Sequence, residues 1–156
     1  MSERALSNDE VAAAFDEIAE RLLLQGESWF KVRAYRRGAE VIRAAAEPVA
    51  LLSAEGRLAA LPGVGKAIAE KTAALLTTGA IPLLERLRAE TPDGLLPLLR
   101  AGVPPSVLRT LWQRFDVRDE PSLGAALAAG RLDGEPKLRR AAEQALGASA
   151  RSADGS

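Results

Sequence analysis

Apolar residues recur along most of this chain at three- and four-residue intervals, and no stretch alternates polar and apolar for long. That pattern predicts an all-α protein of about eight to ten short helices without a sheet. A first helix opens at Ser7-Asn8-Asp9-Glu10, with carboxylates in its first turn. Val11, Phe15, Ile18, Leu22 and Leu23 carry it to Gly26. Ser28 caps a second helix, whose core-facing residues are expected to be Phe30, Ala34, Val41 and Ile42. Its other face holds Lys31, Arg33, Arg36, Arg37 and Arg43, with Tyr35 among them. A short helix from Pro48 through Leu52 and the stretch Ala54-Glu55-Gly56-Arg57-Leu58 follow. They lead to Leu61-Pro62-Gly63-Val64-Gly65-Lys66-Ala67-Ile68-Ala69-Glu70-Lys71, around which the rest is organised.

Two glycines one residue apart, after a proline and before a helical pattern, give that stretch its chemistry. Glycine at both positions admits backbone conformations closed to other residues and lets a ligand come close. The amides after Gly65 open a helix, unpaired and at the positive end of its dipole. Such a hairpin is an anion site, and the anion it suits is a nucleic-acid phosphate. A plain tight turn with a glycine cap is the alternative. The helix itself is expected from about Lys66 to Thr78, with Gly79 just past its end. Ile68, Thr72, Leu75 and Leu76 form its core stripe, while Lys66 and Glu70 point to solvent. Lys71 lies to the side, with Ala67, Ala74 and Thr78. A further helix spans about Pro82–Glu90.

The hairpin theme recurs in weaker form. Arg100-Ala101-Gly102-Val103-Pro104-Pro105-Ser106 falls 39 residues after the first hairpin, counting Gly63 to Gly102. Pro104, without an amide and unable to take positive φ, stands where the second glycine would be. Ala128-Ala129-Gly130-Arg131-Leu132 echoes the stretch Ala54–Leu58, and Asp133-Gly134-Glu135-Pro136-Lys137 opens a last helix through about Leu146. The expected organisation is a domain over 8–91 with an intact helix-hairpin-helix motif and a degenerate second unit over 92–147. The small polar tail 148–156 is expected to be disordered.

Composition narrows the function classes. The chain has 156 residues, 47% of them apolar and only 4% aromatic, which suits close-packed helices. Cysteine and histidine are both absent, so a disulfide framework, a thiolate metal site and a histidine base are excluded. No apolar run reaches membrane-spanning length and no signal peptide opens the chain, so a cytoplasmic protein without membrane contact is expected. Net charge is zero, but it is unevenly spread. Residues 3–27 carry seven acids against two bases, residues 28–47 five bases against two acids, and residues 55–88 five bases against three acids. The acidic opening masks a basic middle, where Trp29 and Tyr35 add rings that could stack on bases.

With Phe30-Lys31-Val32-Arg33-Ala34-Tyr35-Arg36-Arg37, Leu61 through Lys71 and Thr78-Gly79 in place, the chain resembles the N-terminal part of family X DNA polymerases. The resemblance covers roughly residues 8–146, a lyase-type domain followed by a helix-hairpin-helix segment. It implies that the first hairpin grips DNA backbone around a monovalent cation, Na+ or K+, held by the carbonyls of Ala59, Leu61 and Val64. It also implies that Lys31 and Tyr35 line a pocket for a 5′-phosphate, and that Lys71 matches the amine that attacks an abasic sugar. The family's lyase branch surrounds that amine with more lysines, where this chain has Ala59, Ala67 and Leu83. No polymerase palm and no carboxylate cluster for two magnesium ions follow residue 146, so the chain is not expected to polymerise by itself.

The expected function is sequence-nonspecific binding of DNA backbone in repair, at gapped, nicked or single-strand-bearing DNA. Gly63, Val64, Gly65, Lys66 and Ala67 would supply the hairpin, and Lys31, Tyr35, Arg36 and Arg37 the basic face. One alternative is an abasic-site lyase working through a Schiff base on Lys71. Another is a protein-interaction module or a fragment of a family X polymerase, with a partner or a further domain supplying catalysis. The protein is expected to be a monomer, associated with the nucleoid if bacterial.

Overall fold

A computed structural model describes residues 6–154, and among them there are nine α-helices and no strand. The helices are α1 (Asn8–Gln25), α2 (Trp29–Ala44), α3 (Val49–Ala54), α4 (Lys66–Thr78), α5 (Pro82–Glu90), α6 (Leu96–Arg100), α7 (Pro105–Phe115), α8 (Glu120–Ala128) and α9 (Pro136–Asp154). Short 3-10 turns at Leu58–Ala60 and Asp93–Leu95 link α3 to α4 and α5 to α6. No single helix among the described residues is long and apolar enough to cross a membrane. The chain forms two compact units. One runs through Leu23 and resumes at Glu27–Ala89; the other takes Leu24–Gly26 and the residues from Glu90 onward.

The first unit is built on capping chemistry legible in the sequence. Ser7 and Glu10 close a reciprocal box at the start of α1, each backbone N–H donating to the other's side chain at 3.1 Å. Gly26, at φ 79°, ends that helix, and Glu27 N donates to the Leu22 carbonyl at 3.0 Å. Asn8 does double duty. Its amide donates to the Glu47 carbonyl at 3.1 Å and its oxygen accepts from Val49 N at 2.8 Å, which caps α3. Ser28 caps α2 by accepting from Lys31 N, and Gly79 ends α4 in the left-handed region at φ 82°. Phe15, Ile18, Val32, Ile42, Leu52, Leu58, Val64, Ile68 and Leu84 meet in the core.

α2 is turned differently from expectation. Phe30 is 84% exposed and Ala34 is exposed, whereas Val32, Gly38, Ala39 and Ile42 are buried. Tyr35, expected on the basic outer face, is half-buried and stacks on Phe15, with centroids 6.2 Å apart and planes 16° from parallel. The stripe Val32, Tyr35, Ala39, Ile42 has spacings of three, four and three, which keep one helical face inward better than the expected set.

The second unit packs α6 to α9 around Leu95, Leu98, Leu108, Leu111, Leu123 and Leu132. Its last helix does not stop at Leu146. α9 continues through Asp154, so the disordered tail expected from residue 148 does not hold over 148–154. Alanine is the best helix former, and the Ser149 hydroxyl reaches a Glu120 carboxylate oxygen on α8 at 2.5 Å. Residues 155–156 lie outside the described part.

Candidate nucleic-acid interface

Three consecutive backbone turns build the first hairpin. Gly56, at φ 68°, follows α3, and Arg57 N donates to the Leu52 carbonyl at 2.8 Å. Leu61 N closes on the Leu58 carbonyl at 3.1 Å, and Val64 N on the Leu61 carbonyl at 3.0 Å. Leu61-Pro62-Gly63-Val64 is thus a β-turn with proline second and glycine third. Gly63 has φ 94°, the conformation that a type II turn requires there. Val64 then drops into the core at 3% exposure and anchors the turn.

Gly65 plays a different part from Gly63. It precedes α4 at φ −82° and ψ 177°, extended backbone open to any residue. The expectation that both glycines supply a special conformation therefore holds for Gly63 alone. A Cβ placed on Gly65 would meet nothing within 4 Å. No side chain caps α4, so the amides of its first turn, Lys66 and Ala67 included, have neither intrahelical nor side-chain acceptors. The second glycine leaves that helix start uncovered, at the positive end of the α4 dipole.

α2 runs antiparallel to α4 and brings the basic residues alongside. Near their crossing, a Cβ on Gly38 would lie 3.2 Å from Ile68 Cδ1. Towards the hairpin, a Cβ on Gly63 would lie 2.8 Å from Val41 Cγ2 and 3.0 Å from Arg37 Nε. Arg37 thus lies beside the turn. In the other direction Lys71, half-buried on α4, holds its ammonium 5.9 Å from the centre of the Tyr35 ring. Tyr35 and Lys71 therefore do meet, as do Arg37 and the hairpin.

The Lys31 and Lys66 ammoniums are not gathered with them, whereas Arg36 shares a cleft with Arg37. Arg36 lies 5.7 Å over the Trp29 ring. Lys31 pairs with Glu27 at 3.4 Å, and Lys66, with its side chain 89% exposed, reaches Glu70 at 4.0 Å. The carbonyls of Ala59, Leu61 and Val64 are uncharged oxygen donors of the kind an alkali cation takes. Leu61's oxygen accepts one turn hydrogen bond and keeps a second lone pair. The outer ridge of α2 carries a cleft lined by Trp29, Phe30, Arg33, Arg36, Arg37 and Glu40 among others. Sequence reading put Trp29 and the arginines on that face but Phe30 in the core.

The second hairpin shares a positive-φ glycine and a buried valine with the first but is built on a different turn. α6 runs straight into it, and Val103 N donates to the Leu98 carbonyl and Gly102 N to the Leu99 carbonyl, both at 3.1 Å. Gly102 takes φ 103°, Val103 is 5% exposed, and Pro104 sits in extended backbone at φ −57° and ψ 134° before α7. Since Gly65 also has negative φ, proline costs this hairpin no conformation. What it lacks is amides, because Pro104 and Pro105 occupy the places of Gly65 and Lys66.

Residues 6–81 match the helix-hairpin-helix domain family, a span that holds every site residue expected above. Over 138 residues, 88% of this chain, the sequence is 27% identical to the DNA polymerase/3'-5' exonuclease PolX of Bacillus subtilis (strain 168). The chain spans 24% of that relative. The resemblance to the N-terminal region of family X DNA polymerases is borne out at this level. The stretch that matches the helix-hairpin-helix domain family runs from just before α1 to just before α5 and contains the first hairpin.

Proposed function

We propose that this chain binds the DNA backbone without sequence preference, at gapped, nicked or single-strand-bearing DNA, in DNA repair. The observation that carries the reading is the uncapped start of α4 at Gly65, with Arg37 packed against the turn before it. Amides and a guanidinium recognise phosphate oxygens and not base edges. The name of the Bacillus subtilis relative, a polymerase and exonuclease of DNA, supports DNA as the ligand. Lys31 and Lys66 would exchange Glu27 and Glu70 for phosphate, since exposed ion pairs are worth only about 0–1 kcal/mol. A monovalent cation at the Ala59, Leu61 and Val64 carbonyls would add positive charge beside that phosphate. The protein would act as a monomer in the cytoplasm, at the nucleoid in a bacterium. A catalytic domain, on the same chain or on a protein partner, would supply further chemistry.

Fluorescence anisotropy with single-stranded, duplex and 5′-phosphorylated gapped DNA tests the reading. Binding is expected for all three, independent of base sequence and strongest where a single strand or gap is present. Absence of binding to any of them would overturn it.

One observation favours a second reading, an abasic-site lyase: the partial burial of Lys71 on α4. The neutral amine would add to the aldehyde carbon of the opened sugar and lose water to give an imine. The imine acidifies the neighbouring C2′ proton, and loss of that proton expels the phosphate at C3′. Borohydride with incised abasic DNA would trap the imine as a covalent adduct. The chain has four lysines, so the adduct is easily placed by peptide mass. Trapping lost in Lys71→Ala supports the lyase, and no trapping by the unaltered protein removes it.

A further inference from the structure

We infer that Trp29 is a stacking platform for an unpaired nucleobase, so that a single strand leaving the first hairpin runs along the outer ridge of α2. The inference rests on the DNA-binding reading above. Trp29 is 53% exposed, in a chain with only two tryptophans and 4% aromatic residues. A lone exposed ring needs no explanation. This one has a built environment. Trp29, Arg33, Arg36 and Glu40 follow at i, i+4, i+7 and i+11, so they form one stripe along α2. The Arg36 guanidinium lies over the indole at 5.7 Å and leaves about half the residue's surface open.

Arg37 links this stripe to the hairpin. It lines the cleft together with Trp29, Arg33 and Arg36, and its Nε also lies against Gly63. A strand with one phosphate at the start of α4 therefore meets Arg37 next. Beyond it lie two further guanidiniums for phosphates and an indole face for a base. Of the two carboxylates in the cleft, Asp16 is already engaged by Arg43 at 2.9 Å. Bases in a duplex are stacked on their neighbours, and only an unpaired base can offer its face to a ring. The ridge would therefore select for a single-stranded segment, where the hairpin alone accepts any backbone.

The test labels the protein with 5-fluorotryptophan, which gives two fluorine resonances, Trp29 and Trp112, assigned through Trp29→Phe. Oligothymidylate should shift the Trp29 resonance, and a blunt duplex of the same length should not. Trp29→Ala should weaken single-strand binding about fivefold or more and change duplex binding by less than about twofold. Gly65→Val should weaken both. Single-strand binding with an unmoved Trp29 resonance would overturn the stacking alone, as would equal weakening of both DNAs by Trp29→Ala. No binding of either DNA by the unaltered protein would overturn the DNA-binding reading along with it.

Discussion

Arg37 on α2 lies against Gly63 in the hairpin, close enough that a Cβ on the glycine would come within 3.0 Å of the guanidinium Nε. Gly63 thus has two reasons to be glycine, its φ of 94° and the absence of room. Gly65, two residues on, has neither. Gly63→Ala should cost about 1–3 kcal/mol of stability and displace Arg37. Gly65→Ala should cost no more than about 1 kcal/mol, the loss of a glycine at a helix start, while weakening DNA binding. Urea unfolding beside DNA titration separates the two, and equal destabilisation by both would refute the assignment.

The second hairpin should matter for stability and not for DNA. Gly102 sits at φ 103° with open space around its Cβ position, so Gly102→Ala meets backbone strain of about 1–2 kcal/mol without a clash. DNA affinity should change by less than about twofold, because Pro104 and Pro105 have already removed the amides. A larger loss of affinity than Gly65→Val produces would show that the hairpins are ranked wrongly.

Acid should loosen the first unit through Glu17. Its carboxylate accepts from Arg88 at 2.7 and 2.8 Å and from Arg21 at 2.9 Å. The Arg88 hydrogen bond above all holds its pKa below the ordinary 4.5; burial pulls the other way, and Arg21 adds to the lowering. A carboxyl with a depressed folded-state pKa contributes stability above its unfolded value and loses it as pH falls through the folded one. Glu17→Gln should therefore lower stability at pH 7 by about 1–3 kcal/mol and flatten the decline below about pH 4.5. Urea midpoints measured from pH 7 to pH 3 decide it, and an unchanged acid limb would count against this pairing.

Much of the architecture was legible because local signals agreed with one another. Ser28, Gly26, Gly79 and the turn at Pro62-Gly63 each fix an element end by capping or φ, and these lie where the sequence puts them. The phase of α2 was less legible. Phe30 is the largest apolar residue near its start, yet a packed face follows spacing, and Val32, Tyr35, Ala39 and Ile42 have the better one. That error put Phe30 in the core instead of on the outer ridge beside Trp29, and Tyr35 outside, away from Phe15 and Lys71. The end of α9 misled for another reason. Ala148–Ser156 reads as small and polar, but alanine-rich sequence extends a helix when α8 offers it a partner such as Glu120. Contacts between residues distant in sequence, Arg37 with Gly63 above all, could not be read from spacing.

The most direct test of the central claim is DNA affinity against salt for the unaltered protein and for Gly65→Val. If the α4 amides and Arg37 hold phosphates, the logarithm of affinity should fall linearly with that of salt. The slope should be roughly −0.7 per phosphate on a single strand and −0.9 on a duplex. Gly65→Val, which fills the open space at the helix start, should lower affinity for every sequence alike and leave the fold intact. Binding that survives both high salt and this substitution would contradict the account.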